Sequence, residues 1–261
     1  MRLPSDYLKG RVAIVSGASR GIGRRVVVAL AACGARVVAV SRTGLGVATN
    51  RRKPRGVVEV RGDITQLDTA NAALAAALSA FGRIDIVVNN AGVARRGALV
   101  DTTPQAFAEV MAVNVTGPFF LSQAAARAMM EARRGGVIIN VASVLGLVGA
   151  ADMVAYTASK HALIGMTRAL ALELAPHDIR VQALALGFTA AGMNEGLLAD
   201  PPRHTATKEL IPMRRLAQVE EIATLVTLLC GSYASYMTGD VVVADGGLLA
   251  GVALPPKSTR G

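Results

Sequence analysis

Tryptophan is missing from the 261 residues, and four tyrosines and five phenylalanines bring the aromatics to only 3%. A core for a chain of this length must be assembled from alanine, valine, leucine and isoleucine instead. Cysteine is scarce as well. Cys33 and Cys230 both lie in apolar, helix-like sequence, which excludes a disulfide framework and predicts reduced, buried thiols in a cytoplasmic protein. His161, His177 and His204 fall at no metal-ligand spacing, so no metal site is expected. The first residues, MRLPSDYLKG, lack the apolar run of a secretion signal. The uncharged stretch Gly135–Ala151 is shorter than a bilayer span of about 20 residues, and Asn140, Ser143 and four glycines interrupt it. No membrane association is predicted. Hydrophobic residues at 52% exclude global disorder.

Acids are also few: 18 against 28 lysines and arginines, a net charge of +10. Such an excess invites a nucleic-acid reading. Its location argues otherwise. Between Arg20 and Arg61 there are ten basic residues and one acid, Glu59, so +9 of the +10 falls in this segment. Residues 42–61 hold no aromatic to stack on a base. No nucleic-acid partner is expected.

Short, continuously apolar runs at Val12–Ser16, Arg36–Val40, Val57–Arg61, Asp85–Asn89, Gly136–Ala142, Arg180–Leu186 and Val241–Ala244 read as strands buried on both faces. Helical patterns separate them at Ile22–Cys33, Gln66–Phe81, Pro104–Glu131, Val154–Ala175 and Val219–Cys230. The alternation predicts an α/β fold, a doubly wound parallel sheet of about seven strands with helices on both faces, forming a single domain over 1–261. Thr43–Gly56 reads as a loop, and Leu254–Gly261 as a mobile tail. Ligands of such sheets bind beyond the carboxyl ends of the strands.

Ser16-Gly17-Ala18-Ser19-Arg20-Gly21-Ile22-Gly23 follows the first strand and opens the first helix. Gly17 suits a tight turn, Gly21 a close approach to a pyrophosphate, and Gly23 close packing of helix on strand. The helix N-terminus offers free N–H groups to the phosphates. The second strand ends Val40-Ser41-Arg42, with no carboxylate for the ribose hydroxyl of NAD. Arg20, Arg42 and the Ser41 hydroxyl suit a 2′-phosphate, so NADP(H) is favoured over NAD(H).

Tyr156 and Lys160 stand four apart, on one helix face. A neighbouring ammonium is expected to lower the phenol pKa and bring it nearer the range useful for proton transfer. Ser143, just past an apolar strand, is placed to hydrogen-bond a substrate oxygen.

With these motifs in order, the chain resembles the short-chain dehydrogenase/reductase family in its single-domain Rossmann form, including members of the 3-oxoacyl-carrier-protein reductase and gluconate dehydrogenase kind. The resemblance runs from Lys9 to about Gly247 and rests on Ser16–Gly23, Gly62-Asp63-Ile64, Asn89-Asn90-Ala91-Gly92, Val113-Asn114-Val115, and Ser143 with Tyr156 and Lys160. It implies that Tyr156 exchanges a proton with the substrate oxygen and that Lys160 tunes it and holds the nicotinamide ribose. Ser143 would orient the carbonyl, and Asn114 would position a water leading to Lys160. It further implies cofactor contacts from Asp63, Ile64, Asn90, Ala91, Gly92, Gly187 and Thr189, and a homo-oligomer, a tetramer or dimer. Gln182, Leu186 and Ala191 stand where the family usually has Asn, Pro and Thr, which singles out the nicotinamide end, with Thr189 as a substitute hydroxyl. Gly92–Gly97, Val144–Met153 and Phe188–Met213 are expected to line the substrate. Val93, Val144, Leu145, Leu147, Met153, Met193, Leu197 and Leu198 favour a lipophilic ketone or secondary alcohol. Arg95 and Arg96 are candidates for meeting an anionic carrier. The rival reading is a cofactor-binding regulator with a degenerate nicotinamide pocket.

Overall fold

The computed structural model describes residues 3–45, 55–191 and 195–251. The Arg51-Arg52-Lys53 run, Met193, the side chain of Leu197 and the Leu254–Gly261 tail lie outside the described residues. Seven strands, β1 (Val12–Ser16), β2 (Arg36–Ser41), β3 (Val57–Arg61), β4 (Ile86–Asn89), β5 (Gly136–Val141), β6 (Ile179–Leu186) and β7 (Val241–Ala244), form one sheet in the order β3-β2-β1-β4-β5-β6-β7. Every pairing is parallel. The doubly wound α/β architecture predicted from the apolar runs is the one observed, and strand ends differ from the predicted ones by a residue.

Side chains alternate across each strand, so one continuous apolar run serves two cores. Ala13 and Val15 of β1 pack with Val26, Val27 and Leu30 of α1 (Gly21–Ala32) and with Ile222, Val226 and Leu229 of α8 (Val219–Cys230). Val12 and Ile14 face the other way, onto Ala70, Ala73 and Ala77 of α2 (Leu67–Phe81) and Leu121, Ala125 and Met129 of α4 (Gly117–Ala132). The small alanine face of α2 lets it lie close to the sheet. This is how a chain without tryptophan fills its interior. Both cysteines are buried and free, as expected.

Two expectations need correction. The single helix predicted over Pro104–Glu131 is α3 (Pro104–Met111), a wide π-helical turn (Ala112–Thr116), then α4. Pro118 lacks the N–H that would bond the Asn114 carbonyl in α register, so the chain widens there while its apolar pattern continues. Secondly, helices α6 (Glu195–Leu198) and α7 (Pro201–Leu210) lie within the expected substrate-lining segment Phe188–Met213, where no helix is predicted. Helix α7 starts as helices should, with the Asp200 carboxylate accepting from the Arg203 N–H at 3.2 Å and proline at the first turn. Its polar face carries no apolar period to reveal it. Helix α5 (Val154–Leu174) matches its predicted span.

Candidate active site

An all-parallel sheet puts the carboxyl ends of its strands along one edge. There stand Gly17 after β1, Ser41 and Arg42 at the end of β2, Asp63 after β3, Asn90 after β4, Ser143 after β5 and Gly187 after β6. The strand order reverses between β1 and β4, which opens a crevice at the glycine loop.

The loop is held rigidly. Gly17 has φ +66°, and a Cβ there would come within 2.8 Å of the Ala91 backbone. Asn90 Nδ2 donates to the Ser16 carbonyl (3.1 Å) and the Gly17 carbonyl (3.2 Å), while Ser16 Oγ accepts from the Asn90 and Ala91 N–H groups, each at 3.1 Å. The glycine motif does not show this role of Ser16, because its partners lie more than 70 residues away, just past β4. Ala18 N–H bonds the Val40 carbonyl (3.1 Å), tying the loop to β2 as well. Arg20 occupies the N-cap of α1 and supplies no side-chain acceptor. The first-turn N–H groups of α1 thus receive no side-chain cap and point toward the crevice, a fit to phosphate oxygens. Arg20 and Arg42 are exposed, and among the described residues neither forms an ion pair with an acid. Asp63 Oδ1 accepts from the Thr65 N–H (3.0 Å) and hydroxyl (2.9 Å), and Ile64 packs against Gly117.

The basic segment is less focused than its sequence suggests. Arg25 pairs with Glu220 at 3.1 Å, and Arg36 lies over the Phe81 ring at 5.5 Å. Leu45 N–H donates to Glu59 Oε2 at 3.2 Å. Arg20 and Arg42 stand at the crevice edge, and Arg61, at the end of β3, has its guanidinium beside Gly44.

On the other side of the switch point, α5 brings Tyr156 and Lys160 together as their spacing predicts. Lys160 Nζ lies 5.6 Å from the centre of the Tyr156 ring. It donates to the Val141 carbonyl at the end of β5 (2.8 Å). The Tyr156 hydroxyl is hydrogen-bonded to Ser143, whose Oγ also accepts from the Leu145 N–H (3.2 Å). Tyr156, Lys160 and Ser143 are all buried. Burial pulls the Lys160 ammonium down to about 8. It pushes the Tyr156 phenol up, against the opposing Ser143 hydrogen bond. The expectation of a lowered phenol is therefore corrected for the protein by itself: taking the oxygen out of water outweighs the Ser143 hydrogen bond.

Asn114, fully buried in the π-helical turn, donates to the Val93 carbonyl (2.9 Å) and to Ser159 Oγ (2.9 Å), and accepts from the Val93 N–H (2.8 Å). Gly92 passes between Asn114 and Lys160: a Cβ there would meet Asn114 Oδ1 at 3.3 Å and Lys160 Nζ at 3.7 Å. Gly187 is required where β6 leaves the sheet, because its Cβ would come 2.7 Å from Asp245 Cα. Leu186 holds the last ladder position, opposite Ala244, and Thr189 is buried in a bridge to Ala217. Gln182 Nε2 donates to the Met237 carbonyl (2.8 Å), and its buried Oε1 has no hydrogen-bond partner among the described residues.

Two of the expected substrate segments meet: Gly97 N–H bonds the Asp152 carbonyl at 2.9 Å. Leu147 and Val148 stay exposed there, whereas Val144 is buried. In the third segment, Leu198 packs with Phe188 and Ala190 on Ile211 and Leu216. Arg95 is bound by Glu109 through two contacts of 2.8 and 3.0 Å; Arg96 is exposed as well and forms no ion pair among the described residues. Among the described residues no group of histidine, cysteine or acid side chains is arranged to hold a metal, and no helix is long and apolar enough to cross a membrane.

Comparison with known proteins places the chain in a family. A family model described as enoyl-(acyl carrier protein) reductase matches residues 17–249. The 3-oxoacyl-(acyl-carrier-protein) reductase FabG of Vibrio cholerae serotype O1 is 36% identical over 249 residues, covering 92% of this chain and 98% of the relative. A short-chain type dehydrogenase/reductase from Mycobacterium marinum superposes with TM-score 0.86 at 34% identity, covering 95% of this chain and 98% of that one. A gluconate 5-dehydrogenase from Burkholderia cenocepacia J2315, solved in complex with NADP and tartrate, gives the same TM-score at 28% identity and the same coverage. The chain belongs to the short-chain dehydrogenase/reductase family, a family of oxidoreductases.

Proposed function

We propose that the protein is an NADP(H)-dependent oxidoreductase that interconverts a ketone and a secondary alcohol, with Tyr156 as the general acid and base. The observation that carries the reading is the buried cluster of Tyr156, Ser143 and Lys160 at the carboxyl edge of the sheet, facing the glycine loop across the switch point. When bound, NADP(H) supplies or accepts the hydride. Gly17, Ser19, Arg20, Gly21, Ile22 and Gly23 hold its phosphates. Ser41 and Arg42 take the 2′-phosphate, Asp63 and Ile64 the adenine. Asn90, Ala91 and Gly92 would hold the ribose, and Gly187 and Thr189 the nicotinamide. The NADP in the gluconate 5-dehydrogenase structure supports this cofactor.

Tyr156 delivers a proton to the carbonyl oxygen in reduction and withdraws one in oxidation. Ser143 donates to the same oxygen and stabilises charge as it develops. Lys160 holds the ribose hydroxyls and favours the phenolate of Tyr156, and Asn114 orders the water through which Lys160 is reprotonated. Leu147 and Val148, exposed on the loop beyond Ser143, support a lipophilic or carrier-bound substrate. We also read the protein as a homo-oligomer, supported by the exposed apolar side chains Phe107, Phe119 and Leu172 on α3, α4 and α5.

The test is NADPH oxidation, followed by absorbance, against a ketone panel. Tyr156→Phe should lower kcat by about 10²–10⁴-fold, the usual worth of a positioned proton donor. Arg42→Asp should weaken NADPH by roughly tenfold or more, with little effect on NADH. Undiminished turnover in Tyr156→Phe would sink the assignment. NADPH binding without turnover on any ketone would instead identify a cofactor-binding regulator.

A further inference from the structure

Ser159 lies on α5 between the two residues of the Tyr156–Lys160 pair and is fully buried. Its hydroxyl has two partners. It donates to the Tyr156 carbonyl at 2.7 Å and accepts from Asn114 Nδ2 at 2.9 Å. The Tyr156 carbonyl is also the α-helical acceptor for the Lys160 N–H, so the hydroxyl grips the turn that sets the phenol and the ammonium relative to each other. On the far side, Asn114 has spent its second amide hydrogen on the Val93 carbonyl and accepts the Val93 N–H. One serine oxygen thus joins the catalytic turn of α5, through the π-helical turn, to the segment after β4 that opens the Gly92–Gly97 loop.

We propose that Ser159 is a positioning residue: through Asn114 it registers the Tyr156–Lys160 turn against the Val93 backbone. Without the hydroxyl, the Asn114 N–H that Ser159 accepts faces a dry interior with no acceptor, and the amide must turn or drag Val93 with it. A merely structural serine would cost stability alone. Thr167 on the same helix supplies the comparison. Its Oγ1 donates to the Leu163 carbonyl (2.8 Å) and accepts from Asn140 Nδ2 (2.8 Å), the same pattern away from the site.

The test compares Ser159→Ala, Ser159→Thr and Thr167→Val in the full-length protein with NADPH and the best ketone of the panel. We expect Ser159→Ala to lower kcat by roughly 10- to 100-fold, with KM for ketone and NADPH held within about threefold, and to displace the pH profile of kcat. Ser159→Thr should recover most of the loss. Thr167→Val should melt earlier yet keep kcat within about twofold. A Ser159→Ala enzyme with wild-type kcat, or one impaired no more than Thr167→Val, overturns the proposal. Should Ser159→Ala not fold, Ser159→Cys carries the test, since it keeps the volume and weakens both bonds: a drop of about fivefold or more supports the role, and an unchanged kcat overturns it. The inference rests on the oxidoreductase reading. A wild type with no turnover overturns both, whereas a wild type that turns over beside an unimpaired Ser159→Ala overturns the positioning role alone.

Discussion

At Lys160 burial and the proposed role oppose each other. The ammonium is fully enclosed, with the Val141 carbonyl at 2.8 Å as its bonded neighbour, and burial brings its pKa from 10.5 to about 8. A depressed lysine pKa means that the folded state resists the proton which the unfolded state accepts. The penalty is therefore fully present below about pH 8 and is relieved as the pH rises from there toward the ordinary lysine value. Lys160→Met should thus raise stability near pH 7 by about 1–3 kcal/mol, less whatever the lost bond to Val141 was contributing, and should abolish activity. Denaturant unfolding at pH 7 and at pH 10 checks this: the gain must shrink at the higher pH. A variant less stable at both would show that the ammonium is well solvated by its neighbours. Tyr156, Lys160 and Ser143 were legible in the sequence because their spacing puts them beside one another or at a strand end. Ser159 was not, because its meaning depends on Asn114, 45 residues away.

The elements that were legible are those whose apolar period is their reason for existing. The seven strands and the helices α1, α2, α5 and α8 bury faces that repeat in sequence. Helix α7 buries little and announces itself only by Asp200 and the two prolines that follow. The split between α3 and α4 is invisible for the opposite reason, since apolar residues run through it and only Pro118 marks the change of pitch. The glycine loop is legible as a motif, but what stiffens it is not. Asn90 closes the loop onto β4 by bonding the Ser16 and Gly17 carbonyls. Asn90→Ala leaves both without that donor, so it should cost about 1–3 kcal/mol in denaturant unfolding. It should also raise the Kd for NADPH measured by calorimetry, because a loosened loop must be ordered on binding. Unchanged stability together with unchanged affinity would mean that the glycines and Ser16 suffice.

For the whole molecule, the net charge of +10 divides once the chain is folded. Arg25 is neutralised by Glu220 on α8, and Arg36 lies over Phe81, on the side away from the crevice. Among the described residues, Arg20 at the glycine loop and Arg42 at the end of β2 are exposed at the crevice edge without an acidic partner. Apolar surface is divided as well: Phe107, Phe119 and Leu172 find no place in either core and face outward. Sedimentation velocity should give two or four times the 26.9 kDa chain mass, and Phe119→Glu should shift the boundary toward smaller species. A wild-type protein sedimenting as a single chain would leave those side chains as plain surface.

The sequence by itself determined the layered parallel sheet, the edge along which its loops gather, and the cofactor and proton-transfer motifs. Each of these is written as a local period or spacing, and the backbone converts such patterns directly into a face, a turn or a helix end. Only the tertiary structure decided that Arg25 and Arg36 are engaged by Glu220 and Phe81, which direction burial drives Tyr156 and Lys160, and that Asn114 and Ser159 are bonded to each other. Those properties depend on how far a group is withdrawn from water and on which distant group replaces the water. Both are set by packing between segments far apart in the chain.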